Sequence, residues 1–255
     1  MMGNPPKIFI TGLAGSGTTW MARFVQELGY DLGDDLYNRE ERKGLEWRPL
    51  LKLKQEIDRA VMEHGEFTFP GVYLDRQTVL DLRAEFQVAI RQLECPEVVK
   101  IPGLNLAAQI LFPELKPGLV IMMHRPLREW AQTQALEQQK RGVAHPQTVE
   151  HIYSKGALHT GQLLDALEAL DGVRNEYIVI AYPKAACSAD YAATMMYYRR
   201  PTTLAPLDEF RAAHKRATDL ASINRLLPGY TIVQEQKGLC LEPMAGAVRK
   251  EITDA

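Results

Sequence analysis

Cysteine is scarce and scattered in this chain: Cys95, Cys187 and Cys240 are far apart and odd in number. No C-x-x-C pair occurs, so neither a disulfide framework nor a zinc site is indicated, and the thiols are expected to stay reduced. An excess of charge of one sign is lacking too, since 30 basic side chains face 32 acidic ones for a net charge of -2. That balance gives no support for a general role on nucleic acid or on a membrane surface, and any anion has to be bound locally. No apolar run approaches membrane-spanning length, and the opening MMGNPPK reaches the first predicted strand without room for a signal peptide. A cytoplasmic protein is the expectation. Internal repeats and low-complexity tracts are missing as well. The 255 residues, 46% of them hydrophobic, suffice for one large α/β domain spanning 1–255.

What is there begins at Lys7. A short apolar run, Ile8-Phe9-Ile10, feeds a turn holding Gly12, Gly15 and Gly17, and the turn opens into a segment whose apolar residues Trp20, Met21, Phe24, Val25 and Leu28 recur at helical spacing. Gly29 suits the cap at the end of that helix. A strand, a glycine-rich loop and a helix in this order bind anions: glycine lets consecutive N–H groups point inward, and the helix start adds unpaired donors and the positive end of a dipole. The hydroxyls of Ser16, Thr18 and Thr19 stand where a phosphate-binding loop would use them. The spacing is nearly that of G-x-x-x-x-G-K-[ST], with Gly12, Gly17 and Thr19 in place, but Thr18 occupies the lysine position. Nor does a later strand end in a carboxylate: 119–123 runs into His124 and Arg125, and 177–181 into Tyr182. Such a loop is expected to hold a phosphate-like group without the lysine and magnesium ligands of ATP chemistry, and no metal is expected.

Downstream, the charge-dense stretch 38–47 reads as a loop, in which Glu46 and Trp47 after Gly44 either border a substrate site or are simply solvated. Residues 75–93 form an amphipathic helix with Asp75 or Thr78 as its cap. Val98-Val99-Lys100-Ile101 is a short buried strand ended by Pro102-Gly103, which places Lys100 near a strand end. After the strand 119–123, Pro126 suits the first turn of a helix, so Arg125 sits at the corner and Thr133 about two turns in. Helices follow over 146–170, with Gly156 and Gly161 as weak points, over 190–198 and over 207–227, with strands at 177–182 and 230–233. This alternation predicts a three-layer α/β/α sandwich around a mainly parallel sheet of about five strands, P-loop-like, with its ligand along the strand C-terminal ends.

At this point four segments resemble one family. Ala14-Gly15-Ser16-Gly17-Thr18-Thr19-Trp20 resembles the 5′-phosphosulfate loop P-K-S-G-T-T-W of the sulfotransferases. LVIMMHRPLREWAQT resembles their 3′-phosphate motif, an arginine at a strand end followed eight positions later by a serine; here these are Arg125 and Thr133. ELGYDLGDDL followed by KGLEW is similar to the bacterial branch, and Val98-Val99-Lys100-Ile101-Pro102 resembles the strand carrying a lysine near the transferred group. Lys237-Gly238 is a faint echo of an R-K-G cofactor motif. The resemblance implies 3′-phosphoadenosine 5′-phosphosulfate as co-substrate. In that reading the loop residues Gly15, Ser16, Gly17, Thr18, Thr19 and Trp20 hold the 5′ end, and Arg125 and Thr133 hold the 3′-phosphate. Lys100 steadies the bridging oxygen or is an ordinary strand-end lysine, and Glu46 is the candidate general base. His124 touches the adenosine or packs under the loop.

Two departures stand out: Gly15 replaces the family's basic residue, and Ile101 and Pro102 follow Lys100 where many members carry a histidine base. The acceptor implied is a hydroxyl or amine of a small molecule or saccharide, in a pocket drawn from 40–48, 67–73 and 185–201. A divergent P-loop kinase and a non-catalytic nucleotide-binding protein of the same fold are the alternatives. Oligomeric state is not readable from the sequence.

Overall fold

The computed structural model describes residues 3–39, 43–171, 176–199, 206–218, 230–235 and 238–243. Strand β1 (Ile8–Gly12) is buried at every position, as a strand covered on both faces must be. The glycine loop joins it to helix α1 (Thr18–Glu27), which ends before Gly29 at φ +92°. Next come the hairpin β2 (Leu36–Arg39) and β3 (Lys43–Trp47), helix α2 (Arg48–His64), a second hairpin, β4 (Glu66–Thr68) and β5 (Gly71–Tyr73), and helix α3 (Arg76–Arg91). Strand β6 (Val98–Lys100), helix α4 (Ala107–Leu115), strand β7 (Leu119–His124), helices α5 (Leu127–Lys140) and α6 (Val149–Asp171), and strand β8 (Glu176–Ala181) follow. Helices α7 (Lys184–Cys187), α8 (Ala189–Arg199) and α9 (Leu207–Ala217) precede the hairpin β9 (Tyr230–Glu235) and β10 (Gly238–Pro243).

The main sheet has the order β6-β1-β7-β8, and every pairing in it is parallel. Ile8 lies between Val98 and Leu119, Gly12 is level with Met123, and His124 is level with Ala181. Alternate side chains separate two cores. Ile8, Ile10, Ile121, Ile178 and Ile180 pack on Trp20, Met21 and Phe24 of α1 with Met196 of α8 and Phe210 of α9. On the opposite face, Phe9, Val99, Val120 and Met122 pack on residues of α2, α3, α4 and α6, among them Ile57, Ile90, Phe112 and Leu167. The chain is therefore an α/β protein with a four-stranded parallel sheet between helical layers.

Three expectations need correction. Among the described residues the sheet has four strands where about five were expected, because residues 230–233 pair antiparallel with β10 in a separate hairpin; a partner a few residues away closes a much shorter loop than the distant sheet does. Within the stretch expected as a loop over 38–47, the described residues 38–39 and 43–47 belong to the paired strands β2 and β3, so Glu46 stands on a strand. The helix expected over 146–170 runs as α6 straight through Gly156 and Gly161, and at Gly156 the missing side chain is replaced by the ring of Trp130, 2.4 Å from where a Cβ would stand. Of the helix expected over 207–227, residues 219–227 lie outside the described residues. Asp75 caps α3, accepting from the Thr78 N–H at 2.9 Å. Among the described residues no helix is long and apolar enough to cross a membrane.

Candidate functional site

Parallel packing brings the C-terminal ends of β6, β1, β7 and β8 to one edge, and the glycine loop leaves the sheet there. Neighbours explain two of its glycines. At Gly12 φ is +138° and a Cβ would stand 2.2 Å from the Met123 carbonyl oxygen; at Gly17 φ is +94° and a Cβ would fall 2.3 Å from the ring of Tyr182. Only glycine fits in either place. Gly17 is the N-cap of α1, no side chain caps that helix, and its first turn has no acid. The N–H groups of Thr18, Thr19 and Trp20 consequently have no acceptor inside the helix and carry the positive end of its dipole.

Ser16 is enclosed by the turn, fully buried, and its Oγ has no hydrogen-bond partner. Gly15 is exposed at φ +85°, where a Cβ would stand 3.1 Å from Gln134 Nε2 of α5. Thr18 is buried and Thr19 half-buried. Trp20 turns away from the loop: its indole stacks on Phe24 at 5.5 Å, meets His214 edge-on at 5.6 Å and donates from Nε1 to Thr218 Oγ1 at 3.0 Å. Its ring is a core group, and only its backbone N–H lies at the helix start. Trp130 anchors the loop from α5 by donating from Nε1 to the Ala14 carbonyl at 2.8 Å.

On one flank, Arg125 follows β7 directly. It is 3% exposed, and its Nε has no hydrogen-bond partner. The Tyr182 N–H donates to the His124 carbonyl at 2.7 Å, which continues the β7–β8 pairing one step and brings the phenol beside Arg125. Burial pushes the phenol pKa well up and the Arg125 charge partly counters it. The Tyr182 hydroxyl is buried and unpartnered, while its ring packs on Gly17, so one residue connects the loop to the arginine. The sequence analysis did not single out Tyr182 as a site residue; the available signal was an aromatic residue ending a parallel strand at the ligand edge. Half-buried His124 has its pKa lowered by burial. Thr133 Oγ1 donates to the Glu129 carbonyl of its own helix at 2.9 Å, so in this rotamer its proton serves α5.

On the other flank, Lys100 and Glu46, expected as separate catalytic groups, meet. Lys100 is 2% exposed; its Nζ donates to the Gly44 carbonyl at 2.8 Å and pairs with Glu46 Oε1. Burial draws the ammonium pKa down, and the neighbouring Glu46 carboxylate opposes that. Lys100 is thus not a solvated strand-end lysine, nor is Glu46 a solvated loop residue.

Of the segments expected to line an acceptor pocket, 67–73 forms most of the β4–β5 hairpin, with Phe67 and Phe69 widely exposed and Phe69 edge-on to His151 at 5.5 Å. Next to His151, Ile152 packs with Leu13 of the glycine loop. Tyr191 has an internal task, its hydroxyl accepting from the Ala181 N–H at 3.2 Å. Residues 40–42, 200–201 and Lys237 lie outside the described residues, as do the side chains of Tyr197 and Tyr198. Among the described residues no group of three His, Cys, Asp or Glu is placed to hold a metal ion.

No protein-family model matches the chain, and no curated protein matches it either. Among solved structures it is similar to the sulfotransferase domain of the olefin synthase of Synechococcus PCC 7002, at 15% identity and a TM-score of 0.37, over 88% of this chain and 78% of that one.

Proposed function

We propose that the protein is a sulfotransferase that moves a sulfuryl group from 3′-phosphoadenosine 5′-phosphosulfate to a hydroxyl or amine of a small molecule or saccharide. One observation carries the reading. Of the five buried side-chain polar atoms without partners among the described residues, three are Ser16 Oγ, Arg125 Nε and Tyr182 Oη, which stand beyond the ends of the adjacent strands β1, β7 and β8. Each such atom costs about 1–3 kcal/mol unless something pairs it. A polar ligand across this edge would pair all three, and the arginine and the uncapped helix start make it an anion.

These residues fit the two phosphate groups of that co-substrate. The α1 N-terminus with Ser16, Thr18 and Thr19 would hold the 5′ end. Arg125 would hold the 3′-phosphate with Tyr182 beside it, and Thr133 would join by releasing its bond to Glu129. The bound donor supplies the sulfuryl group. The chain's own contribution is to fix both phosphates, to donate a hydrogen bond from Lys100 where negative charge grows, and to accept the acceptor's proton at Glu46, which uses Oε1 for Lys100 and presents Oε2. Thr18 in the lysine position, and β7 and β8 ending without a carboxylate, disfavour magnesium-ATP in the same cradle.

Calorimetric titration of the purified protein with adenosine 3′,5′-bisphosphate, and separately with ATP and magnesium, tests the proposal. The bisphosphate binds without metal, and Arg125→Ala weakens it by about 2 kcal/mol, roughly thirtyfold. Preference for magnesium-ATP would replace this reading with the kinase. Bisphosphate binding with no transfer to any acceptor would replace it with a nucleotide-binding protein that does not catalyse.

A further inference from the structure

Side chains of a regular β-strand stand off the sheet, while its carbonyls lie along the hydrogen-bonding direction toward neighbouring strands. Gly44 and Glu46 of β3 break that separation. The Gly44 carbonyl and Glu46 Oε1 accept from one atom, Lys100 Nζ, which belongs to β6 in a different sheet. The residue between them permits this. Leu45 is passed over in the β2–β3 register, which runs Tyr37↔Glu46 and Asn38↔Gly44, and its φ is +68°. That is the left-handed first position of a bulge, where glycine is the unstrained choice and a leucine is held against its preference. The φ of Leu45 sets the orientation of the Gly44–Leu45 peptide, so the left-handed turn swings the Gly44 carbonyl to the side from which Lys100 arrives.

We propose that Leu45 is a positioning residue whose left-handed backbone clamps the Lys100 ammonium between the Gly44 carbonyl and the Glu46 carboxylate, leaving one N–H at the ligand edge for a bound group. An ammonium has three donors, and two are taken. The task of the third rests on the sulfotransfer reading; the clamp does not. Glu46 is correspondingly held with one oxygen fixed, which orients the other.

Two substitutions act on the backbone in opposite directions: Leu45→Val opposes the left-handed conformation with a β-branched side chain, and Leu45→Gly favours it. The rate at which cyanate carbamoylates Lys100, followed by peptide mass spectrometry on the full chain, reports the ammonium without any turnover. In Leu45→Val the buried ammonium loses acceptors and gives up its proton more readily. Labelling of Lys100 at pH 8 then rises about threefold or more, while labelling of exposed Lys116 stays constant. Leu45→Gly keeps the wild-type rate at Lys100. Should the valine variant fail to fold, Leu45→Ile, β-branched and of leucine's own size, gives the same readout. Equal Lys100 rates in wild type and Leu45→Val would overturn the clamp, and so would a raised rate in Leu45→Gly. A Lys100 response without detectable sulfuryl transfer in wild type would support the clamp and remove the functional reading.

Discussion

Tyr182 places its ring against Gly17 and its hydroxyl, buried and unpaired, within reach of the Arg125 charge. Removing the oxygen alone separates two roles. In the free protein Tyr182→Phe deletes an unsatisfied buried group and keeps the ring, so stability holds or rises by up to about 1 kcal/mol. Affinity for adenosine 3′,5′-bisphosphate falls by about 1 kcal/mol, because the ligand loses a donor. Melting curves with and without the bisphosphate check both halves; a destabilised variant with full affinity would leave the phenol a purely structural group. At this scale the sequence was uneven. The glycines and hydroxyls of the loop and the arginine at the strand end were readable because residue type and spacing restrict what they can do. That the Trp20 indole is a core group, that the Thr133 hydroxyl bonds its own helix and that Lys100 meets Glu46 depended on neighbours far away in the chain.

Helix α3 is fastened to α4 by one carboxylate. Glu114 is buried, and accepts from Arg83 Nε at 2.5 Å, Arg91 Nε at 2.7 Å and Gln87 Nε2 at 3.2 Å, all three on α3. Burial alone would raise its pKa; the three donors outweigh burial and hold it below the usual 4.5. Glu114→Ala removes the fastening and leaves its donors to water, because both arginines are partly exposed. Urea unfolding at pH 7 should show a loss of about 1–3 kcal/mol, with Glu114→Gln in between. The pairing is invisible in the sequence, where 23 to 31 residues separate the partners. The cap of α3 was visible, because Asp75 and the N–H of Thr78 are three residues apart and their meeting is a property of the first helical turn. Gly156 misled for the complementary reason. A glycine weakens an isolated helix, yet here it admits the Trp130 ring and lets α6 and α5 approach.

Over the whole molecule, burial lowers the pKa of three histidines, His124, His214 and His159, the last from 6.5 to about 4 with Lys155 and Lys54 adding to the effect. A pKa depressed by folding contributes stability that is present above the unfolded value and lost as pH falls through the folded one. For His159 that window runs from 6.5 down to about 4; Glu114 adds its own loss below 4.5. Melting temperature measured from pH 8 to pH 4 should begin to fall near 6.5, and His159→Gln should flatten that part of the curve. Equal slopes in variant and wild type would remove His159 as a source.

The same scale shows what was legible. Alternation of apolar strands and amphipathic helices determined the α/β class, and the glycine loop with its hydroxyls made the first helix start the place where an anion is expected. Both follow from backbone geometry over a few residues. Only the tertiary structure decided that among the described residues four strands share the sheet, that β3, paired with β2, carries Glu46 to Lys100, and that Tyr182 connects Gly17 to Arg125. Which distant segments meet is set by how the buried faces of all elements fill one interior together, and no stretch of sequence contains that condition by itself.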